Sequence, residues 1–351
     1  MSRSQNPSGH SYNRFTAKMA FDLAAPHTWP ASIAPVAIAA SLAIATGFPI
    51  SATLTIALLG ICILMQSSVN TFNDYYDYVK GTDSSDDDVD PTDAVLIYNN
   101  VNPTCALVYA IALLVAAFIL GVYVIYHAGP IPLAIGVIGA VFVVLYSASN
   151  TPISYLPLGE AVSGIVMGGF IPLACYQVLT GFLTPLAVLW AVPEILGIGL
   201  IMFTNNTCDI EKDAAAHRRT LSVLLNREKA RRLYHAITWL WLIAIILIVG
   251  IFFTRGLIML PFLLLSTYPL LKALRNNPLA PQSRQAAMSQ ICSVNIALGA
   301  WYAAAILASN SVIVCSRGLP DCKETRFAQW DCFKSFSPSS SDVFRCLWLF
   351  S

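Results

Sequence analysis

Charge is what this chain has least of. Only 11% of its 351 residues are Asp, Glu, Lys or Arg, against roughly 25% in a soluble globular domain. So few polar side chains cannot cover a water-facing shell, which excludes a soluble enzyme. Basic excess is missing too: Lys+Arg 20 against Asp+Glu 19 leaves a net charge of +1, too little to meet a nucleic-acid backbone. The five histidines show no H-x-x-x-H or comparable spacing, which argues against a zinc centre. Hydrocarbon is abundant, with 56% hydrophobic residues and a mean hydropathy of +0.65, so a disordered or collagen-like chain is excluded as well. This is the composition of a membrane protein.

A helix crosses the hydrocarbon layer with about 20 mostly apolar residues. Runs of that kind occupy Pro30–Phe48, Ser51–Val69, Cys105–Ala128, Ile131–Ser147, Ala161–Leu179, Leu186–Thr204, His235–Phe253, Gly256–Ala273 and Met288–Ser309. The expectation is an all-α membrane protein, a nine-helix transmembrane bundle over residues 30–312. A cytoplasmic arm, residues 1–29, precedes it, and a divergent Cys- and Ser-containing tail, residues 313–351, follows. The arm has no apolar core of a cleavable signal peptide. Loops after the odd-numbered runs carry Arg255 as their one basic residue, whereas the arm and the loops after the even-numbered runs carry fourteen. The positive-inside rule therefore puts the N-terminus and the even-numbered loops in the cytoplasm.

Nine cysteines are present. Cys62, Cys105, Cys175 and Cys292 fall within the apolar runs and Cys208 just past the sixth, where thiols behave as small apolar groups. Cys315, Cys322, Cys332 and Cys346 crowd the tail. Nine spans would leave that tail outside the cell, where disulfides form.

The acidic residues are unevenly spread: eight of the 19 lie between Asp74 and Asp93. Asp83 to Asp93 reads as a solvated acidic loop, and with Ala94 to Tyr98 it could cap a site. Asn70, Asn73, Asp74 and Asp77 differ, because they continue the second apolar run without a breaker. On a helix they share an arc of about 100°. Carboxylates there meet the negative end of the helix dipole and repel one another, penalties that a divalent cation would remove. Hard oxygen donors with room for phosphate suit Mg²⁺. The pattern recurs after the sixth run, where Asn205, Asp209 and Asp213 step by four along one face and Asp209 lies 135 residues beyond Asp74. Asn206 adjoins this group. Lys212 shares its face, and Arg218, Arg219 and Thr220 follow, donors suited to charge developing on a diphosphate leaving group. Arg227, Lys229, Arg231 and Arg232 read instead as anchors to anionic lipid headgroups.

At these residues the chain resembles the UbiA superfamily of intramembrane prenyltransferases. Asn70 to Asp77 with Tyr78-Val79-Lys80-Gly81 resembles its first Asp-rich motif. Asn205 to Asp213 with Arg218-Arg219-Thr220-Leu221 resembles the second. Pro30 to Val36 and Leu158-Gly159-Glu160 are most similar to the menaquinone-pathway branch, the dihydroxynaphthoate polyprenyltransferases. The resemblance implies a nine-helix fold and Mg²⁺ held by Asp74, Asp77, Asp209 and Asp213 as the catalytic and metal-binding residues. It further implies a polyprenyl diphosphate bound with help from Asn70, Asn73, Lys80, Asn205, Asn206, Lys212, Arg219 and Tyr146. The acceptor would be an aromatic ring, 1,4-dihydroxy-2-naphthoate in that branch, and the setting a bacterial plasma membrane with the site on the cytoplasmic side.

Two positions depart from the branch. Cys208 stands where it commonly carries Arg, and Ala24 to Trp29 lacks its Arg and Lys; Arg219 or Lys212 would have to compensate. Other quinone or phenolic acceptors are the alternative within the family. Outside it, a secondary transporter would place its ionisable groups near the bilayer midplane, whereas here every candidate ligand stands at a helix end.

Overall fold

The computed structural model of the protein describes residues 12–80, 94–147 and 152–309. The Asp83 to Asp93 insertion and the tail from residue 313 lie outside these. Residues Met1–Asn310 form one compact unit, distinct from Ser311–Ser351.

The described chain is helical from end to end. Helix α1 (Ala17–Leu23) leads into α2 (Pro30–Ala45), with a bend of 55° between the two stretches. Then come α3 (Ala52–Lys80), the short α4 (Val95–Tyr98), α5 (Pro103–Ala128) and α6 (Ile131–Ser147). Helix α7 (Gly159–Ser163) passes through a π-helical stretch, Gly164–Phe170, into α8 (Ile171–Thr180). Helices α9 (Pro185–Trp190), α10 (Val192–Cys208), α11 (Ile210–Ala215), α12 (Leu221–Phe252), α13 (Leu260–Asn276) and α14 (Arg284–Ala308) complete it.

Local signals explain the boundaries. Asn102, Thr184 and Thr220 cap α5, α9 and α12 by accepting from the amides of Thr104, Leu186 and Val223, and Pro103 and Pro185 suit a first turn whose N–H has no partner. Gly129 and Gly181 close α5 and α8 at φ 80 and 79, a conformation that glycine adopts without strain. Inside α12, Asn226 sits at φ 63 and kinks the helix; its side-chain oxygen restarts the helix by accepting from the Lys229 amide at 3.3 Å.

All nine apolar runs read from the sequence lie on helical segments. Among the described residues, however, six stretches are long and apolar enough to cross a membrane: Ala52–Val79, Pro103–Ala128, Gly159–Thr180, Leu221–Phe252, Thr254–Asn276 and Pro281–Ala308. The count of nine is not reached, for local reasons. Helix α2, 16 residues long, starts at a bend. The sixth run is split at Ala191 into α9 and α10, and the described part of α6 ends at Ser147. The chain is an integral membrane protein all the same. Its surface agrees: Val108 and Ile119 on α5 are about 60–63% exposed, an apolar face suited to lipid.

At 29 residues, α3 spans about 43 Å, more than the ~30 Å of hydrocarbon. Its last turns therefore project beyond the apolar layer, carrying Asn70 to Asp77 with them. The core lies where α2, α8, α10, α12 and α14 meet. Trp241 and Tyr302 are buried there, and the Tyr302 hydroxyl donates to the Trp190 carbonyl at 2.7 Å. The π-helical stretch presses on α10 so closely that a Cβ on Gly168 would come within 2.6 Å of the Glu194 backbone. This approach fixes α10, and with it the second motif, relative to α7.

Gly168→Ala is expected to lower thermal stability in detergent by about 1–3 kcal/mol through overpacking. Gly121→Ala on α5 has nothing within 4 Å of the added carbon and should leave the melting temperature unchanged or raised. Equal melting of the two variants would refute the close-approach account.

Candidate active site

One large cavity, of about 1380 Å³, runs between the helices. Its polar lining includes Asn70 and Asn73 from the last turns of α3, Asn205 from the end of α10 and Arg284 from the start of α14, with His27 and Thr28 from the arm. Its apolar lining, including Leu114, Phe118 and Ile125 of α5 and Phe142 of α6, extends toward the opposite ends. The α5 wall from Leu114 to Ile125 covers about 17 Å. Amides from both Asn-rich motifs thus border a single space, although 135 residues of chain separate them.

Each predicted residue has a definite place. The Asn70 amide donates to Thr28 Oγ1 at 2.8 Å and to the Ala24 carbonyl at 3.2 Å, while its oxygen accepts from Gln66 at 3.2 Å. Asn73 is exposed to the cavity. Asp74 is buried and accepts from the backbone amides of Val95 at 2.8 Å and Leu96 at 3.5 Å. The segment after the acidic insertion is therefore docked on the first motif's own carboxylate. Asp77 is half-buried one turn further along α3. The Lys80 side chain lies outside the described residues.

In the second motif the continuous helical face read from the sequence is broken. Helix α10 ends at Cys208 and α11 begins at Ile210, with Asp209 as the residue between. Backbone bonds from Asp209 to Asn205 and from Asp213 to Asp209 persist at 3.0 and 2.8 Å, yet the two carboxylates take different partners. Asp209 Oδ2 accepts from Arg284 Nε at 3.1 Å, and the same guanidinium donates through Nη2 to Asn205 Oδ1 at 2.7 Å. Asp213 is buried and accepts from Arg218 and Thr220, each at 3.4 Å. Asn206 faces away from the cavity residues and donates to Glu160 Oε1 at 2.9 Å. The other Glu160 oxygen is buried without a hydrogen-bond partner among the described residues. Tyr146 lines the cavity, with its hydroxyl close to Gly159. Lys212 is half-buried on α11, and Arg219 is exposed, contributing its backbone N–H to the Tyr155 carbonyl at 2.8 Å.

Two arginines do work that the sequence pattern hid. Arg284 counts, by position alone, as one more positive charge on an inner loop. Arg227, which reads as a headgroup anchor, turns inward instead. It grips Glu211 at 2.6 and 2.7 Å and donates to the carbonyls of Leu279, Thr207 and Cys208. Sequence spacing carries no signal for either contact, since the partners lie on other segments. Arg218 is held above the Tyr155 ring at 4.7 Å, a cation–π contact that fixes it beside Asp213.

A ready-made cluster of four carboxylates is not formed: among the described residues no three His, Cys, Asp or Glu side chains converge closely enough to hold a metal ion. Asp74, Asp209 and Asp213 are each held by internal donors instead. The oxygens present nonetheless suit a hard cation. Asn205 Oδ1 and Asp209 Oδ2 already converge on one positive group, the Arg284 guanidinium.

The bundle encloses an apolar cavity bordered at one end by amides and the Arg284 guanidinium, a lining that suits a lipidic molecule with an anionic head. The profile of the UbiA prenyltransferase family matches residues 32–297, and the chain belongs to that family, as a transferase of prenyl groups. It is 30% identical over 230 residues to the 1,4-dihydroxy-2-naphthoate octaprenyltransferase of Bacillus subtilis, covering 65% of this chain and 73% of that one. It is 28% identical over 205 residues to UbiA prenyltransferase domain-containing protein 1 of Danio rerio, covering 57% of this chain and 59% of the relative. The fold is that of a UbiA homologue from Archaeoglobus fulgidus solved with DMAPP and Mg²⁺, at a TM-score of 0.55 and 14% identity over 82% of this chain and 98% of that one.

Burial pushes the Asp213 carboxyl up to about 6; Arg218 pulls against this and Asp209 adds to it. A carboxylate raised on folding favours the protonated native state, so its contribution to stability is present below about pH 4 and is lost as pH rises through about 6. In EDTA, Asp213→Asn should therefore gain melting temperature relative to wild type across that window. Melting curves that stay parallel from about pH 4 to pH 7 would contradict the assignment.

Proposed function

We propose that this protein transfers a polyprenyl group from its diphosphate to an aromatic acceptor, 1,4-dihydroxy-2-naphthoate, in a Mg²⁺-dependent reaction. The single observation that carries the reading is the cavity, which joins the amides of both motifs at one end to a long apolar wall at the other. The Bacillus relative supports the choice of acceptor.

In this reading Asn70, Asn73, Asn205 and Arg284 receive the diphosphate, with Lys212 and Lys80 adding positive charge. Asn206 and Glu160 support α10 from behind. Asp74, Asp77, Asp209 and Asp213 would hold Mg²⁺, which when bound supplies charge stabilisation to the diphosphate oxygens as the C–O bond breaks. Diphosphate leaves with that bond's electron pair. The carboxylate-bearing carbon of the electron-rich ring supplies the pair for the new C–C bond; the carboxylate then leaves as CO₂, and the pair of its broken bond returns to the ring. Leu114, Phe118 and Phe142 keep water from the allylic cation, and Tyr146 borders the space in which it forms. The prenyl tail lies along α5 and α6 and continues into lipid.

We further infer nine crossings, the shorter α2, α6 and the α9–α10 pair completing the six long stretches, in a bacterial plasma membrane. The uneven distribution of Lys and Arg supports a cytoplasmic N-terminus and a cytoplasmic head-group end.

The test is turnover of a polyprenyl diphosphate and dihydroxynaphthoate by the purified protein. Prenylated product is expected with Mg²⁺ and not with EDTA. Asp74→Ala and Asp209→Ala should each lose at least about 100-fold in rate. Product formed only from another phenolic acid would replace the acceptor. Rates untouched by either substitution would remove the assignment of the site.

A further inference from the structure

Arg284 occupies oxygens that a divalent cation would need. Its Nε and Nη2 bridge Asp209 Oδ2 and Asn205 Oδ1 at 3.1 and 2.7 Å, and the residue lines the cavity at its polar end. A carboxylate oxygen in a charge-assisted bond to arginine is shielded from a metal ion until that bond exchanges.

The backbone that carries Arg284 is pinned. Asn277 Oδ1 accepts from the Leu279 amide and from Ser283 Oγ, both at 2.9 Å, and the Leu279 carbonyl accepts from Arg227 Nε at 2.9 Å. Arg227 also holds the carbonyls of Thr207 and Cys208. The loop before α14 and the end of α10 are thus one frame, within which a change of partner for Arg284 is a change of side-chain rotamer. Cys208, immediately before Asp209, is buried and brings no positive charge to the cavity.

We propose that Arg284 is a resident counter-cation of the second motif: a divalent cation must displace it from Asn205 and Asp209, and the displaced guanidinium then binds the anionic head of the substrate. This rests on the proposed prenyl-diphosphate reading and deepens it. Metal and diphosphate become coupled ligands. Metal alone must strip Asp209 of its arginine, whereas metal arriving with a diphosphate gives that arginine a new anion. Coupling of this kind is reciprocal, each ligand strengthening the other by the same factor.

The experiment is Mn²⁺ binding to the substrate-free, full-length protein in detergent, read by electron paramagnetic resonance, for wild type, Arg284→Gln, Arg284→Lys and Asp209→Asn. Steady-state KM values for the prenyl diphosphate accompany it, and melting temperatures establish that each variant is folded. Arg284→Gln should bind Mn²⁺ roughly fivefold or more tightly than wild type while its KM for the prenyl diphosphate rises; Arg284→Lys should lie between. A structural tie between α10 and α14 would instead weaken both, so Mn²⁺ affinity unchanged or reduced in a folded Arg284→Gln overturns the proposal. Wild-type Mn²⁺ binding that is lost in Asp209→Asn but indifferent to Arg284 leaves the metal reading standing and removes this inference alone. No Mn²⁺ binding in wild type or in Arg284→Gln removes both.

Discussion

Negative charge at the inner ends of apolar helices is the constraint that organises this molecule. A carboxylate half out of water needs a positive or hydrogen-bonding partner, and four of those described here take theirs from other segments or the following turn. Asp74 takes the amides that open α4; Asp209 takes Arg284; Asp213 takes Arg218 and Thr220; Glu211 takes Arg227. The short helices α4 and α11 and the loop before α14 are placed by these demands together with apolar packing, as where Val95, Leu96 and Leu279 are fully buried. The cation–π contact of Arg218 with Tyr155 and the Arg219 amide bond to the Tyr155 carbonyl extend the same network to the segment before α7.

Beneath that polar layer the bundle is held by contacts of another kind. Small residues admit backbone to backbone, as where Gly168 meets α10 and where a Cβ on Gly256 would come within 2.1 Å of the Ala305 carbonyl oxygen. In lipid, apolar burial offers little drive for helix association, and close van der Waals approach takes its place. Helix α5 packs on α3 along its buried Ala106, Ala110 and Ala117, where the Ser68 hydroxyl donates to the Ala110 carbonyl, and its remaining surface is exposed or lines the cavity. The second motif is thus carried on the closely packed side of the bundle.

Much of this was legible in the residue order, because the same physics leaves a periodic trace. Apolar runs long enough to span marked every membrane helix, and Asn70, Asn73 and Asn205 announced themselves by polarity at the end of such a run. What was not legible depends on distance along the chain. Arg284 lies 75 residues after Asp209, and nothing near it distinguishes a guanidinium aimed at a carboxylate from one aimed at a headgroup. Arg227 was misread for that reason. The break at Asp209 was hidden too, since Asn205, Asp209 and Asp213 keep helical spacing through it. The count of nine was not reached at α2 and α10, where a bend before Pro30 and a break at Ala191 interrupt runs whose composition alone looks sufficient.

Asn226 has a mechanical consequence. A helix that turns a corner at one residue behaves as two levers joined by a hinge pin. The membrane-embedded arm of α12 must follow the thickness and tension of the surrounding bilayer, tilting as the lipids demand. The short arm before the corner carries Thr220, and through it the seat of Asp213, while Arg227 just past the corner is bolted to three carbonyls. The corner therefore lets the Thr220 arm keep its own direction, while a tilt of the longer arm is passed through Arg227 to the end of α10.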